Sequence, residues 1–228
     1  MSLNTAVNQA SASVLATNKV LRNTYWLLSM TLFFSAMTAG LAMYMNLPPF
    51  GMIVTLVGFY GLLFLTQKFS DSAVGLLWVF ALTGFMGLTL GPILNMYLKV
   101  FSNGHELIMM ALGGTGTIFL GLSGYALTTR KDFSFMGGFL FAGVLVAFLA
   151  GIGAVVFSLP LLSLAVSAMF ILLMAGMILW ETSNIIHGGE TNYIRATVSL
   201  YVSLYCSTTS TWISASLSSV LTLSLKHI

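Results

Sequence analysis

Charged residues are scarce in this sequence of 228 residues, where 8 are Lys or Arg and 5 are Asp or Glu, together 6%. An ordinary soluble domain carries about 25% charged residues. So few charges cannot cover a water-exposed surface of this size, which excludes a soluble enzyme. The net charge of +3 is spread over short connecting segments and forms no clustered basic face, so no nucleic-acid partner is predicted.

Cysteine is nearly absent, with Cys206 as its one occurrence, and there are three histidines. One cysteine cannot form an intramolecular disulfide, and no second cysteine or histidine lies at the spacing of a metal-binding motif. His105 and Glu106 match the start of a zinc-protease motif, but the position of its second histidine is occupied by Met109. No metal site and no cofactor are therefore predicted.

Hydrophobic residues, in contrast, make up 58% of the chain and occur in long uncharged blocks. Because about 20 apolar residues cross a bilayer as a helix, the sequence predicts an all-α polytopic membrane protein with the lipid bilayer as its first partner. The first 18 residues are polar and rich in Ser, Ala and Asn, and residues 1–23 are expected to form a mobile cytoplasmic tail before a single membrane domain over 24–228. The seven predicted transmembrane helices are 24–45, 50–67, 73–98, 107–128, 134–159, 161–180 and 196–218.

The basic residues indicate the orientation of these helices. Lys and Arg accumulate in cytoplasmic connections. If the seven helices alternate in direction, six of the eight basic residues lie on the side of the N-terminus, and only Lys99 and Lys226 lie on the opposite side. The N-terminus is therefore predicted in the cytoplasm and the C-terminus in the periplasm. The six basic residues on the side of the N-terminus are Lys19, Arg22, Lys68, Arg130, Lys131 and Arg195.

The last predicted helix is unusually polar. Eleven of the 23 residues from Cys206 to Ile228 are Ser or Thr. Such a helix would tolerate lipid poorly unless neighbouring helices surround it. We therefore expect the seventh helix to be central, with the other six wrapped around it.

Small residues in the third predicted helix indicate close helix packing. Gly87 and Gly91 form a G-x-x-x-G motif, whose missing side chains let two backbones approach in a membrane. Pro92 follows directly, and proline removes a backbone donor and clashes with the preceding turn. The sequence thus predicts packing at the two glycines and a kink at the proline.

Ionisable groups inside membranes are costly and are candidates for function. Glu181 follows the sixth predicted helix and opens the segment 181–195, which also contains His187 and Arg195. A partly buried carboxyl group there, with Arg195 as an electrostatic partner and His187 as a second titrating group, would suit a proton-sensitive gate. Alternatively, Glu181 reaches water at the membrane surface, and Arg195 follows the cytoplasmic preference of basic residues.

A second class of function is suggested by Ser123 in the fourth predicted helix. Residues 121–124 read G-x-S-G, the serine motif of rhomboid-type intramembrane proteases. Such a serine needs a histidine base on another helix. All three histidines are predicted in connections or at the terminus, so Ser123 is better explained by helix packing than by catalysis, and no enzyme activity is predicted.

Two blocks of sequence resemble a known family. Residues 81–97 are similar to the third-helix signature of the transmembrane BAX inhibitor motif family, and residues 181–201 to its sixth-loop and seventh-helix signature. Residues 20–25 agree as well, and the resemblance covers about 18–205. It is strongest to bacterial inner-membrane members that modulate the membrane-bound AAA protease FtsH, which implies an inner-membrane regulatory protein with the FtsH complex as a partner.

The resemblance also implies a seven-helix bundle and a pH-dependent calcium leak. In the family, one acidic residue at the end of the sixth helix and a second in the seventh close the cytoplasmic side of the leak pathway. Glu181 occupies the first position, but the second falls on Ser203, which cannot share a proton as a carboxyl group does. From Cys206 onward the sequence departs from the family, and we expect loose packing over residues 207–225.

Overall fold

The computed structural model describes residues 2–157 and 159–226. Side chains are described for these residues except 2–16, 52, 155 and 215–226. Within these ranges the chain forms helices and no strand, which confirms the all-α prediction and the presence of seven long helices. A 3-10 turn, Ser134–Met136, precedes the fifth. The seven are α1 (Ser2–Tyr44), α2 (Met52–Lys68), α3 (Ala73–Val100), α4 (Gly104–Thr129), α5 (Gly137–Val156), α6 (Pro160–Ile186) and α7 (Tyr193–Lys226).

Five of these helices are long and apolar enough to cross a membrane, namely α1 from Thr17 onward and α3 to α6. In α2 the apolar part, Ile53–Lys68, is shorter. Among the described residues α7 does not meet the same criteria, because its Ser and Thr residues lower its hydropathy. A multi-pass membrane protein is thus supported, and bilayer crossing by α2 and α7 stays a prediction.

Several helix ends differ from those predicted, most of all the start of α1. Helix α1 begins at Ser2 and therefore includes most of the expected tail. No glycine or proline, which would interrupt a helix, occurs before Gly40. The mobility of residues 1–23 stays a prediction. Helix α6 continues six residues past Trp180 and ends at Ile186. The turn after it contains Gly188 with φ +74°, a backbone conformation that glycine adopts without steric cost.

The chain forms two compact units. The first comprises Met1–Ser102 and Ile185–Tyr201, and the second comprises Asn103–Asn184 and Val202–Ile228. Helices α1, α2 and α3 therefore belong to the first unit, and α4, α5 and nearly all of α6 to the second. The boundary falls within α7, whose first part contributes to the first unit and whose remainder contributes to the second.

In the first unit α1 packs closely along α3. A Cβ atom added at Gly87 would overlap the Thr38 hydroxyl and the Ser35 carbonyl oxygen, and one added at Gly91 would overlap the Ala42 side chain. The predicted G-x-x-x-G motif thus lies in the contact between these two helices. Beyond it, α3 remains helical through Pro92 to Val100, and the predicted kink at Pro92 stays a prediction.

The second unit has an apolar core between α5 and α6. The Leu173 side chain of α6 packs against Gly143 of α5. In the same way, the Leu140 side chain of α5 packs against Gly176 of α6. Leu140 and Leu173 are buried together with Ala147. The close approach of α5 and α6 holds the part of α6 that carries Glu181.

The middle of helix α7 is buried or partly buried. Between Leu200 and Trp212 no described side chain is exposed, although six positions are Ser or Thr. This burial agrees with the expectation that the most polar helix avoids lipid. The complete arrangement of six helices around a central seventh remains a proposal.

Candidate functional site

Glu181 and Ser203 form a buried polar pair in the second unit. Glu181 lies in α6 and is 6% exposed, and Ser203 lies in α7 and is also buried. The Ser203 hydroxyl is 3.1 Å from one carboxyl oxygen of Glu181 and 3.3 Å from the other. Because a hydroxyl has one hydrogen to donate, the two distances describe one hydrogen bond shared between the two oxygens.

The burial of Glu181 corrects its expected place at the end of a shorter sixth helix. We predicted that the helix ends at residue 180 and considered that the carboxyl group reaches surface water. Instead α6 continues to Ile186, and Glu181 lies more than one turn before that end. The continuation is favoured by the side chains after Glu181, since Thr182, Ser183 and Ile185 are all buried.

The pair contains one carboxyl group and one hydroxyl. Among the described residues there is no group of three or more His, Cys, Asp and Glu side chains that could hold a metal ion. Leaving a buried carboxyl group without a hydrogen-bond donor costs free energy. Ser203 supplies that donor, and the chain thereby retains Glu181 at a buried position.

The buried polar face of α7 continues beyond Ser203. Ser207 lies four residues further, on the same side of the helix. It is fully buried, and its hydroxyl has no hydrogen-bond partner among the described residues. Ser210 and Trp212 are buried as well. Burial at these positions does not favour loose packing of residues 207–212, but the expectation stays a prediction, and the side chains of 215–226 lie outside the described ones.

Arg195 is held in the first unit by the connection between α2 and α3. Its Nε donates to the Ser70 hydroxyl at 2.9 Å, and its Nη2 lies 3.6 Å from a carboxyl oxygen of Asp71. The Arg195 and Asp71 side chains are 44% and 81% exposed, so this ion pair is worth at most about 1 kcal/mol. The sequence suggested Arg195 as an electrostatic partner of Glu181, whereas in the structure Arg195 contacts Ser70 and Asp71.

Asn192 joins the same connection to the start of α7. Its Nδ2 donates to the Ser70 carbonyl oxygen at 2.9 Å and to Asp71 Oδ1 at 2.8 Å. Its Oδ1 accepts the backbone N–H of Ile194 at 2.9 Å, which caps the helix. Sequence reasoning missed this residue, although an asparagine directly before a helix is a recognisable capping signal. His187, the third member of the predicted gate, is exposed in the turn before it.

Ser183 fixes the segment between α4 and α5. Its hydroxyl donates to the Lys131 carbonyl oxygen at 3.2 Å and accepts the backbone N–H of Phe133 at 3.0 Å. Sequence analysis did not identify this role, because the contact joins residues about 50 positions apart. These bonds hold the connection against α6 two residues after Glu181.

Ser123 has no hydrogen-bonded base among the described residues. It is buried in α4, and its hydroxyl has no hydrogen-bond partner among the described residues. His105 lies in the same helix 18 residues earlier, which is about 27 Å away along the helix axis and therefore beyond hydrogen-bond reach. His227 lies outside the described residues. This geometry gives no support to the rhomboid interpretation.

The chain is similar to known proteins over most of its length. The family described as "Inhibitor of apoptosis-promoting Bax1" matches residues 17–206. A relative from Escherichia coli strain K12, "Modulator of FtsH protease YccA", is 58% identical over 85% of this chain and 87% of its own length. Uncharacterized proteins from Pseudomonas aeruginosa and Pasteurella multocida are 53% and 52% identical, each over 87% of this chain.

The matched region contains the structural features that carry the resemblance. It begins where the membrane-spanning part of α1 begins, at Thr17, and it ends at residue 206, where the Ser/Thr-rich sequence starts. Gly87, Gly91, Glu181 and Ser203 all lie within it. The chain is therefore a multi-pass membrane protein that belongs to the family of the inhibitor of apoptosis-promoting Bax1.

Proposed function

We propose that this protein is a non-enzymatic regulator in the bacterial inner membrane that binds the FtsH protease complex and modulates its action on membrane proteins. The observation that carries the proposal is the 58% identity, over most of both chains, to the relative named as a modulator of FtsH protease. Because the Ser123 hydroxyl has no hydrogen-bond partner among the described residues, the proposal assigns no catalytic step to this serine.

The segment before Thr17 is the proposed point of contact with the protease. It precedes both the family match and the apolar part of α1, so it extends beyond the membrane domain. With the N-terminus in the cytoplasm, as the distribution of basic residues indicates, residues 1–16 lie on that side of the membrane and the C-terminus lies in the periplasm.

Co-purification and substrate turnover together test this proposal. The full chain and a variant lacking residues 2–16 are each expressed with affinity-tagged FtsH, and the half-life of a membrane substrate of FtsH is followed by pulse-chase. The full chain should co-purify with FtsH and lengthen the half-life, whereas the shortened variant should do neither although it still inserts into the membrane. Absence of co-purification and an unchanged half-life with the full chain would refute the proposal.

A second function, a pH-sensitive calcium or other cation leak, is favoured by the buried Glu181–Ser203 pair. We propose that Glu181 restricts ion passage while its carboxyl group is bound by the Ser203 hydroxyl, and that loss of this bond opens the pathway. A single carboxyl group offers a divalent cation fewer charged ligands than two would. We therefore expect weaker calcium selectivity here than in family members with two acids.

Calcium and sodium flux into proteoliposomes across a pH series tests the leak. Ser203→Ala should raise the flux and Glu181→Gln should change its pH dependence, with Ser199→Ala, which alters an exposed serine of the same helix, as the matched control. Flux equal to that of empty vesicles, or equal for all these proteins at every pH, would exclude an ion pathway at this pair.

A further inference from the structure

The first turns of the membrane-spanning part of α1 carry an exposed row of basic, aromatic and apolar side chains. Lys19, Arg22 and Trp26 are exposed, and Trp26 reaches 71%. At 100° per residue these three lie within an arc of about 60° on the helix. Met30 and Phe33 extend the row along the same face and are exposed as well. Along this one helix face, the basic side chains come first and the aromatic and apolar side chains follow.

The position of this row relative to the bilayer follows from the spacing of two aromatic residues. Trp26 and Tyr44 are strongly exposed, at 71% and 86%, and their 18-residue separation corresponds to about 27 Å of helix. The hydrocarbon core of a bilayer is about 30 Å thick, and Trp and Tyr favour its two boundaries. Trp26 thus marks one boundary, and Arg22 lies about 6 Å further out, at the depth of the lipid phosphate groups.

A surface cavity is present at the same place. It is an open groove of about 600 Å³, lined by Arg22, Asn23, Tyr25, Trp26 and Ser29. None of the described hydrogen bonds or ion pairs involves the side chain of Lys19 or Arg22. Arg22 lines this cavity and Lys19 precedes it by about one helical turn, and neither cation has an acidic partner among the described residues.

We propose that Lys19, Arg22 and Trp26 bind the headgroup of an anionic phospholipid in the leaflet at the N-terminal end of α1. The planar guanidinium group of Arg22 suits a phosphate, to which it can donate two parallel hydrogen bonds. Lys19 adds a second positive charge further from the bilayer centre. The Trp26 indole N–H lies at the depth of the ester oxygens, and Met30 and Phe33 continue along the acyl chain.

Quenching of Trp26 fluorescence by brominated lipid tests this site. The full chain is reconstituted in phosphatidylcholine vesicles that contain increasing fractions of brominated phosphatidylglycerol or brominated phosphatidylcholine, and the Trp26 signal is the difference between wild type and Trp26→Phe. We expect half-maximal quenching at a lower fraction of phosphatidylglycerol. Arg22→Gln should reduce the relative affinity for phosphatidylglycerol about fivefold, and Lys19→Gln/Arg22→Gln up to about 30-fold.

Matched variants separate this site from general electrostatic attraction. Lys131→Gln removes the same charge from another exposed position and should leave the preference intact, while Arg22→Lys should retain most of it. Equal quenching by both brominated lipids in the wild type, or equal loss of preference in Lys131→Gln and Arg22→Gln, would overturn the proposal. Soluble glycerol phosphate should not displace the lipid, and displacement by it would likewise contradict a membrane-lipid site.

Discussion

Replacement of Gly87 by alanine tests whether this glycine is what allows α1 to approach α3. The added methyl group would overlap the Thr38 hydroxyl and the Ser35 carbonyl oxygen. Neither atom can yield easily, because the carbonyl is part of the α1 backbone and Thr38 Oγ1 donates to that same carbonyl oxygen at 2.9 Å. The two helices must therefore move apart.

The expected loss of stability follows from two opposing effects. Overpacking a close contact costs about 1–3 kcal/mol, whereas alanine is favoured over glycine in a helix by about 0.5–1 kcal/mol. The free energy of unfolding should therefore fall by about 1 kcal/mol, and by no more than about 2.5 kcal/mol. Movement of α1 would also disturb the 2.6 Å hydrogen bond between the Ser35 and Tyr201 hydroxyls, which joins α1 to α7.

Unfolding in mixed micelles of a mild detergent and sodium dodecyl sulfate, followed by circular dichroism, measures this change. Gly113→Ala is the control, since a Cβ atom at Gly113 would have nothing within 4 Å and should leave stability unchanged or slightly higher. If Gly87→Ala unfolds at the same dodecyl sulfate fraction as Gly113→Ala, the close approach does not depend on glycine, and our reading of this contact is wrong.

Three further changes address the polar contacts. Asn192→Ala removes a helix cap and two hydrogen bonds, so it should cost about 1–2 kcal/mol and speed amide exchange at the start of α7; unchanged exchange would argue against the capping role. Asp71→Asn removes an exposed ion pair but leaves an amide oxygen that can still accept from Asn192, so it should cost less than about 1 kcal/mol, and a larger loss than in Asn192→Ala would contradict this ranking. Ser203→Ala leaves the Glu181 carboxyl group without its donor and should lower the free energy of unfolding by about 1–3 kcal/mol, whereas Ser199→Ala, at an exposed position, should have little effect; equal values would mean that the buried hydrogen bond does not stabilise the fold.

Local features of the chain could be predicted where one segment carries the whole signal. Long uncharged runs placed the helices, because the length of an apolar run decides whether it can cross a bilayer. Gly87 and Gly91 were identified as packing positions from their four-residue spacing alone. The end of α6 could not be predicted in this way, because the charge of Glu181 suggested that the helix ends before it. The structure explains why the helix continues: the Ser203 hydroxyl of α7 donates to Glu181, and residues after Glu181 are buried.

The sequence by itself determined the class of protein, the order of its helices and its family, since all three depend on composition and on motifs contiguous in the chain. Tertiary structure decided the partners of the scarce polar groups: Ser203 for Glu181, and Ser70 and Asp71 for Arg195. These pairs are separated by 22 to 125 positions, and no local pattern connects such distant residues. The physical reason is that a buried or interfacial polar group must find a partner wherever helix packing places one.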